Sequence, residues 1–312
     1  MAIVVIGAVF VDIKGYPHDK YIPDGRNAGD VLTIHGGVGR NVAEDIANVG
    51  LYPKFVSLVD DNAQGEEVVK RLRNRKVNTD YVLPTKDGMG VWLAVFNERG
   101  DVAASISKRP DPSEIARLIE EKGDEIFADC DSIVIEVCLN AEIVKSVLRF
   151  AEKYGKKVYG VVANMSIAIR RRDLIKSLGC FVCNLEEAEL LFADSLTDLS
   201  IEELCDTLSE NVRNARIPSM VMTLGCRGSV YASMDGEKGY CPAEKVVVRD
   251  TTGAGDAFCA GVSVGLTYGK SLSEAVKIGT RLAASVVTSP ENTCPRFLPQ
   301  ELGLNKLFTG TR

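Results

Sequence analysis

The chain has 312 residues, of which 46% are hydrophobic and 26% charged, and its formal net charge is -6. This length suits one large α/β domain with a small appendage. The acidic balance disfavours nucleic acid or an anionic membrane as a partner, and no apolar run reaches the roughly 18 residues that a membrane span needs.

Nine cysteines are scattered along the chain, mostly within apolar runs, as is typical of reduced, buried thiols. Met1 leads into an apolar segment without a basic stretch, so no signal peptide is predicted and we expect a cytoplasmic protein. Cys180 and Cys183 invite a redox or zinc interpretation. They lie in a short apolar run, however, and residues three apart in a strand point to opposite faces, so we expect structural thiols.

Short β-rich segments alternate with longer helical ones along the chain. The predicted strands are 3–6, 55–58, 132–137, 157–162, 181–183, 220–223 and 229–232. The predicted helices are 41–49, 65–75, 113–121, 141–154, 185–192, 201–211, 254–266 and 271–287. This alternation predicts a three-layer α/β/α fold, in which a parallel sheet carries helices on both faces.

Two early segments interrupt the alternation. Residues 12–33 are rich in Gly, Pro, Asp and Tyr and lack a helical period, and residues 90–107 alternate like a hairpin around a turn at 97–100. We expect both segments to leave the main sheet and form a small β-sheet lid on a single domain, 1–312. Ligands should bind at the carboxyl ends of the parallel strands.

The segment 250–256, Asp-Thr-Thr-Gly-Ala-Gly-Asp, opens a predicted helix. Gly253 and Gly255 allow a tight turn that presents backbone N–H groups, and the helix N-terminus adds a positive dipole end, so this segment predicts an anion site. The amides of Gly253, Ala254 and Gly255 could hold a transferring phosphoryl group while Asp256 accepts the proton of an attacking hydroxyl. The alternative is an ordinary helix start, where Asp is common.

A second glycine-rich segment, His-Gly-Gly-Val-Gly-Arg-Asn at 35–41, opens the first predicted helix. It matches neither the Walker pattern nor the dinucleotide-binding pattern. Taken alone, it indicates either a ligand-binding loop or a tight loop that packs a helix onto the sheet.

Together, segments 36–41 and 250–256 resemble the two signatures of the ribokinase-like (PfkB) sugar and nucleoside kinases, and the resemblance extends over about 3–295. It implies a ribokinase-like fold and transfer of phosphate from ATP, with Mg²⁺, to a primary hydroxyl. By the same resemblance, the acceptor site comprises Asp12, Gly36, Gly37, Asn41, Glu136 and Asp256. The nucleotide site comprises Asn184, Glu187, Thr223, Gly225, Gly253 and Gly255, with Glu187 organising Mg²⁺ indirectly.

The resemblance also implies a monovalent-cation site, with K⁺ as the candidate ion, at Asp250, Thr252 and Ser289. Related kinases often pair through their lids, and exposed lid strands have open edges that seek partners, so we expect a homodimer. A small-molecule sugar or nucleoside is the other expected partner.

The opening segment 12–35 and the amino-acid sequence of 36–41 resemble the pseudouridine kinase branch, which implies the 5′-hydroxyl of pseudouridine as acceptor. Trp92 and Phe96 would then cover the base or simply pack the lid. This chain departs from that branch near the substrate, at three places: Lys108-Arg109, Ala163-Asn164 and Glu136.

Other substrates therefore remain open, namely ribose, fructose or a purine nucleoside. A non-catalytic sugar- or nucleotide-binding regulator is a further alternative, which the intact Asp256 disfavours. A nicotinamide oxidoreductase is disfavoured because no Gly-x-Gly-x-x-Gly follows a strand.

Overall fold

The structure is a computed structural model and describes residues 1–304, without the side chains of Ile167 and Arg171; positions 305–312 of the predicted domain lie outside the described residues. The strands are β1 (Ile3–Ile6), β2 (Phe10–Pro17), β3 (Gly29–Gly36), β4 (Lys54–Asp60), β5 (Asn78–Thr85), β6 (Gly90–Phe96), β7 (Val102–Lys108), β8 (Ser132–Glu136), β9 (Lys157–Val161), β10 (Cys180–Asn184), β11 (Ser219–Thr223), β12 (Ser229–Ser233) and β13 (Lys238–Cys241). The helices are α1 (Val38–Asn48), α2 (Ala63–Asn74), α3 (Ser113–Phe127), α4 (Ala141–Tyr154), α5 (Met165–Ala168), α6 (Arg172–Ile175), α7 (Leu185–Phe192), α8 (Ile201–Ala215), α9 (Ala254–Thr267) and α10 (Leu272–Val287).

The main sheet has the strand order β13-β12-β11-β10-β9-β8-β1-β4-β5. Its strands from β11 to β5 are parallel, as predicted, but β12 runs antiparallel to both of its neighbours. The main sheet is therefore parallel over most of its width, as predicted, and mixed at one edge. The reason is the short connection between β11 and β12, which allows only a hairpin, since a parallel pair needs a long crossover.

Two apolar cores cover the faces of this sheet and give the predicted three layers. One core includes residues of α3, α4 and α8, and the other includes residues of α1, α9 and α10. Cys183 belongs to the first core and Cys180 to the second. The two thiols thus lie on opposite faces, as their spacing predicts. Among residues 1–304, no helix combines the length and apolar character that a membrane crossing requires.

The smaller sheet, which we call the lid, has the strand order β3-β2-β6-β7. Its hairpin β6–β7 confirms the predicted alternation around 97–100, where Gly100 takes a positive φ of 83°. The strand β2 follows β1 after only three residues, so the lid is a direct extension of β1, an inner strand of the main sheet.

The two faces of the lid differ in character. Asp12 lies beside Trp92 in the β2–β6 register, and Tyr16 stacks on Phe96 with ring centroids 4.7 Å apart. Trp92 meets the edge of the Phe96 ring. Because side chains alternate along a strand, one face carries acidic and aromatic groups. The opposite face is apolar and carries the exposed residues Val31, Leu93 and Ile106.

Candidate active site

Close backbone contacts set the start of α1. Its N-cap, Gly37, has a φ of 97°, and a Cβ there would lie 2.5 Å from the carbonyl oxygen of Ala8. Two residues further on, a Cβ at Gly39 would lie 2.5 Å from the Cα of Gly7. Only glycine fits both positions without displacing the backbone. The helix N-terminus therefore lies directly against the end of β1.

The start of α9 is built in a similar way. Gly253 caps the helix with a φ of 83°, and a Cβ there would lie 2.0 Å from the carbonyl oxygen of Asn292. Ala254 and Gly255 follow in the first turn with Asp256, which is half-buried. The backbone N–H groups of this turn and the carboxylate thus lie at one helix N-terminus, the arrangement that segment 250–256 predicts.

The two helix starts meet at Asp256. The side-chain amide of Asn41, on α1, donates from Nδ2 to Oδ2 of Asp256 at 2.7 Å. These residues are far apart in the chain, and the contact joins the two glycine-rich motifs in one site. A carboxylate held by one amide keeps its second oxygen available for a hydroxyl.

The electrostatics of the site favour a base of moderate strength. Burial raises the pKa of Asp256 to about 7, and the nearby charges of Glu136 and Asp12 act in the same direction, while Asn41 and Arg40 oppose it. Burial also raises the pKa of Glu136, whose Oε2 accepts the backbone N–H of Ala8 at 3.0 Å. A carboxyl group that titrates near neutral pH is well matched to general-base chemistry.

Asp12 reaches this site from the lid. A Cβ on Gly36 would lie 2.3 Å from Oδ2 of Asp12, so the absence of a side chain at Gly36 leaves room for the carboxylate. Burial raises the pKa of Asp12, and Lys14 and Arg40 oppose the shift. Of the predicted acceptor residues, Asn41 contacts Asp256 directly, and Asp12 and Glu136 lie close enough for their charges to raise its pKa.

Lys14, which the sequence analysis did not single out, lies two residues further along β2. Its side chain is buried, at 3% exposure, and its Nζ donates to Oγ1 of Thr252 at 3.2 Å. The same ammonium lies 3.8 Å from Oδ2 of Asp250. A lysine of the lid thus contacts the loop that leads into α9.

The predicted monovalent-cation residues are already engaged. Asp250 accepts the backbone N–H of Thr252 at 2.8 Å, and Ser289 accepts the backbone N–H of Glu291 on its hydroxyl at 3.0 Å. Lys14 already supplies a positive charge beside Asp250. These residues fit an added cation only in part.

A cavity of about 890 Å³ opens on the other side of the α9 N-terminus. Thr223 and Gly225 line it after β11, and Ala254 and Gly255 line it at α9. Its remaining walls are largely apolar and include Tyr240, Pro242, Val246, Val247, Val248 and Val287. An apolar chamber that ends at a helix N-terminus suits a molecule with a flat ring and phosphate groups.

Asn184 and Glu187 form a reciprocal helix cap at the start of α7. The side chain of Asn184 accepts the N–H of Glu187 at 2.8 Å, and the carboxylate of Glu187 accepts the N–H of Asn184 at 2.8 Å. This capping box accounts for the Asn-x-x-Glu spacing locally. Oε1 of Glu187 has no hydrogen bond to the described residues, which leaves one carboxylate oxygen suited to Mg²⁺ or its water. Among residues 1–304, no cluster of three or more His, Cys, Asp or Glu side chains could hold a metal alone.

A smaller cavity, of about 200 Å³, lies next to Glu136. Phe10, Arg109 and Leu139 also line it. Cys138 lies in the same wall, and its sulfur accepts the backbone N–H groups of Ala163 and Asn164 at 3.3 and 3.1 Å. We call this space, defined by Phe10, Arg109, Glu136, Cys138 and Leu139, the Glu136 pocket.

The pair Lys108-Arg109 separates into two environments. Lys108 forms an exposed ion pair with Asp87 at 2.6 Å, whereas Arg109 lines the Glu136 pocket. Only Arg109 is therefore in a position to contact a ligand there. All three departures from the pseudouridine kinase pattern involve this pocket: Arg109 and Glu136 line it, and Ala163 and Asn164 contact its residue Cys138.

Sequence reasoning missed two further residues of the site, Arg40 and Asn292. Arg40 is fully buried and donates from Nη1 to Oδ1 of Asn41 at 2.7 Å and to Oδ1 of Asn292 at 3.2 Å. The sequence offered one signal for Arg40: it is a charged residue between a glycine and the motif asparagine, in a helix whose other face is apolar.

Comparison with known proteins agrees with this geometry. The model of the pfkB family of carbohydrate kinases matches residues 2–296. Guanosine-inosine kinase of Exiguobacterium acetylicum is 36% identical over 296 residues, which cover 93% of this chain and 95% of that protein. Pseudouridine kinase of Escherichia coli is 25% identical over 276 residues, which cover 88% and 87%.

The fold has close relatives among solved structures. The structure of Arabidopsis thaliana ribokinase with ribose and ATP superposes with a TM-score of 0.79 at 20% identity, over 97% of this chain and 99% of that one. The predicted ribokinase-like fold is thus confirmed. Because the family model matches nearly the whole chain, the protein belongs to the pfkB family of carbohydrate kinases and is a phosphotransferase that acts on an alcohol group.

Proposed function

We propose that the protein phosphorylates the 5′-hydroxyl of a purine nucleoside, with Asp256 as the general base. The observation that carries this proposal is the contact of 2.7 Å between Asn41 and Asp256 at the N-terminus of α9. The acceptor hydroxyl loses its proton to Asp256, and its oxygen forms the new bond to phosphorus. The amides of Gly253, Ala254 and Gly255 stabilise the charge of the transferring group.

ATP supplies the phosphoryl group and leaves as ADP. The cavity of about 890 Å³ supports this assignment because Thr223 and Gly225 line one end and the α9 N-terminus another. We propose that Glu187 contributes its free oxygen to the hydration shell of Mg²⁺, which would neutralise phosphate charge. A role of K⁺ at Asp250 is the less favoured part of the proposal, because Lys14 is already close to this carboxylate.

The acceptor sugar is proposed to bind between Asp12, the Gly36–Gly37 backbone, Asn41 and Glu136. Carboxylates that face ribose hydroxyls accept hydrogen bonds from them, and both Asp12 and Glu136 act electrostatically on Asp256. Burial raises the pKa of each of these two carboxyl groups, so hydrogen bonds from hydroxyls would replace the lost water.

Two features favour a nucleoside over a free sugar. The aromatic cluster of Tyr16, Trp92 and Phe96 shares the lid face of Asp12, and flat rings there suit a base. The Glu136 pocket adds Arg109, whose guanidinium matches the O6 and N7 acceptors of guanine or hypoxanthine. The likeness to guanosine-inosine kinase supports the same class.

Pseudouridine is the second candidate. The amino-acid sequence of 36–41 and the likeness to Escherichia coli pseudouridine kinase favour it. Its uracil ring also presents carbonyl oxygens to Arg109, and it differs from uridine by a free ring N–H, so a comparison of the two separates recognition of the C-nucleoside from recognition of any pyrimidine.

We further propose a homodimer formed through the apolar face of the lid. Val31 and Ile106 are each 70% exposed on this face, with Leu93 between them at 40%. Exposed apolar side chains on a small sheet are stabilised by burial against a second copy.

The test is ATP consumption with guanosine, inosine, adenosine, pseudouridine, uridine, ribose and fructose, with the Asp256→Asn variant as control. We expect kcat/KM to be highest for guanosine or inosine, and at least about a hundredfold above ribose, because a whole base contributes more than the ~1–3 kcal/mol of one methylene. Preference for pseudouridine would overturn the purine assignment, and equal efficiency with ribose would overturn the nucleoside assignment.

A further inference from the structure

We infer that Arg40 is a positioning residue, which orients the Asn41 amide and thereby sets the strength of the base Asp256. This inference rests on the proposed role of Asp256. It concerns a buried charged cluster on α1 that the reaction as described above does not use.

The orientation of the Asn41 side chain follows from chemistry. Arg40 has only donors, so the atom of Asn41 that lies 2.7 Å from its Nη1 must be the oxygen. The amide nitrogen then faces Asp256 and donates to Oδ2 at 2.7 Å. With the amide reversed, two donors would face each other at Arg40 and two acceptors at Asp256. Arg40 therefore selects the one orientation in which Asn41 stabilises the carboxylate.

Arg40 is itself held in place from three directions. Its Nη2 lies 2.7 Å from Oε2 of Glu44, one helical turn away, and neither side chain is exposed. Its Nη1 also donates to the carbonyl of His35 at 3.2 Å and to Oδ1 of Asn292 at 3.2 Å. Rotation of the guanidinium would break several charge-assisted contacts in a buried space, where each is costly to lose.

The loop at 292–294 connects this cluster to the anion site. The backbone oxygen of Asn292 packs on Gly253, the cap of α9, and its side chain contacts Arg40 and the carbonyl of His35. Thr293 donates to Glu44 at 3.1 Å. One loop thus contacts the amides that would hold the phosphoryl group and the arginine that orients Asn41.

The consequence is a tuned base. Burial and two neighbouring carboxylates raise the pKa of Asp256 to about 7, and the hydrogen bond from Asn41 and the charge of Arg40 limit this rise. Without the contacts from Arg40 to Asn41 and from Asn41 to Asp256, a larger fraction of Asp256 would be protonated at neutral pH and unable to accept a proton.

The experiment compares Arg40→Met, Asn41→Ala and the double variant with wild-type enzyme, following kcat against pH, KM for both substrates, and thermal unfolding. Arg40→Met should lower kcat about tenfold and shift the acid limb of the kcat profile upward by about half to one pH unit. If Arg40 acts through Asn41, the second substitution should add little to the first.

Arg71→Met is the matched control. Arg71 contacts the same carboxylate, Glu44, at 3.2 Å, but has no contact with Asn41. It should lower the unfolding temperature without shifting the pH profile. If Arg40→Met fails to fold, Asn292→Ala, which removes only one contact of Arg40, should show a smaller shift of the same sign.

Two results would overturn the inference. The first is an Arg40→Met shift of the acid limb that is equally large in the Asn41→Ala background, which would mean that the Arg40 charge acts on Asp256 through space. The second is reduced stability of Arg40→Met with an unchanged pH profile of kcat, which would mean a purely structural role. Substantial activity of Asp256→Asn would instead refute the proposed base, which is a separate outcome.

Discussion

The ammonium of Lys14 donates to the hydroxyl of Thr252 at 3.2 Å and thereby connects the lid to the loop before α9. We expect Lys14→Met to lower kcat/KM about tenfold to a hundredfold, because a buried hydrogen bond to a charged group contributes about 1.5–3 kcal/mol. The exposed Lys20 provides the control variant Lys20→Met.

The response to potassium ions tests whether the Lys14 ammonium takes the place of a cation beside Asp250. Lys14 lies 3.8 Å from Asp250, so its loss leaves that carboxylate without this nearby cation. We expect weak K⁺ stimulation of the wild-type enzyme and stronger stimulation of Lys14→Met, measured as kcat with KCl against choline chloride. Equal stimulation of both enzymes would contradict this role.

Asp256→Asn should reduce kcat by about 10²–10⁴-fold, the usual contribution of a general base, while both substrates still bind. Steady-state kinetics and calorimetric binding measure the two effects separately. A variant that keeps more than about a tenth of the wild-type kcat, with chemistry as the slow step, would exclude Asp256 as the base.

The pH dependence of kcat should follow the protonation of Asp256. Since only the carboxylate accepts a proton, kcat should fall as the pH drops below about 7. The charge of Glu136 raises the pKa of Asp256, so Glu136→Gln should move the acid limb to lower pH. A shift toward higher pH would contradict the charge interaction.

Asp12→Ala should raise KM for the acceptor and lower kcat, with little change in KM for ATP. The expected loss is about 1.5–3 kcal/mol, that of a charge-assisted hydrogen bond. Gly36→Ala should have a similar effect, because its Cβ would lie 2.3 Å from the Asp12 carboxylate. Asp19→Ala, an exposed position near the lid, is the control; acceptor kinetics of Asp12→Ala equal to this control would reduce Asp12 to a loop residue.

Asp45 should affect stability and not catalysis. Burial raises its pKa well above the usual value, so the folded state keeps a proton at pH values where the unfolded chain has already released it. This group therefore makes stability fall as the pH rises above about 3.8. The Asn side chain of Asp45→Asn cannot ionise. When the pH is raised from mildly acidic to mildly alkaline, this variant should therefore lose less stability than the wild-type protein. Thermal unfolding measures this, with exposed Asp61→Asn as control.

The sequence predicts those parts of the fold whose signals are local. Gly37 and Gly253, which have a positive φ and lie against neighbouring backbone, mark the starts of two helices, and the apolar runs mark most central strands. The edge strands β5 and β13 were missed. Pro84 lies within β5 and Gly239 within β13, and such residues argue against a strand except at the edge of a sheet.

The missed residues of the site share a different cause. Arg40, Lys14 and Asn292 are important through partners far away in the chain, such as the contact between Arg40 and Asn292. Charged residues are usually exposed, so their burial follows only from the tertiary structure. The spacing of Asn184 and Glu187 was found, but the sequence did not distinguish a helix cap from a phosphate contact.

The short connection from β1 to β2 means that Asp12, the carboxylate proposed to bind the acceptor, lies on the lid, whereas Asp256 lies on the main domain. Any swing of the lid would therefore separate two groups that, in the proposed reaction, contact the same sugar. By thermodynamic linkage, an acceptor that binds both groups draws the lid closed with part of its own binding energy. Acceptors too short to reach both groups should then be poor substrates. They should also fail to stimulate ATP hydrolysis, because without closure the nucleotide has no ordered nucleophile beside it.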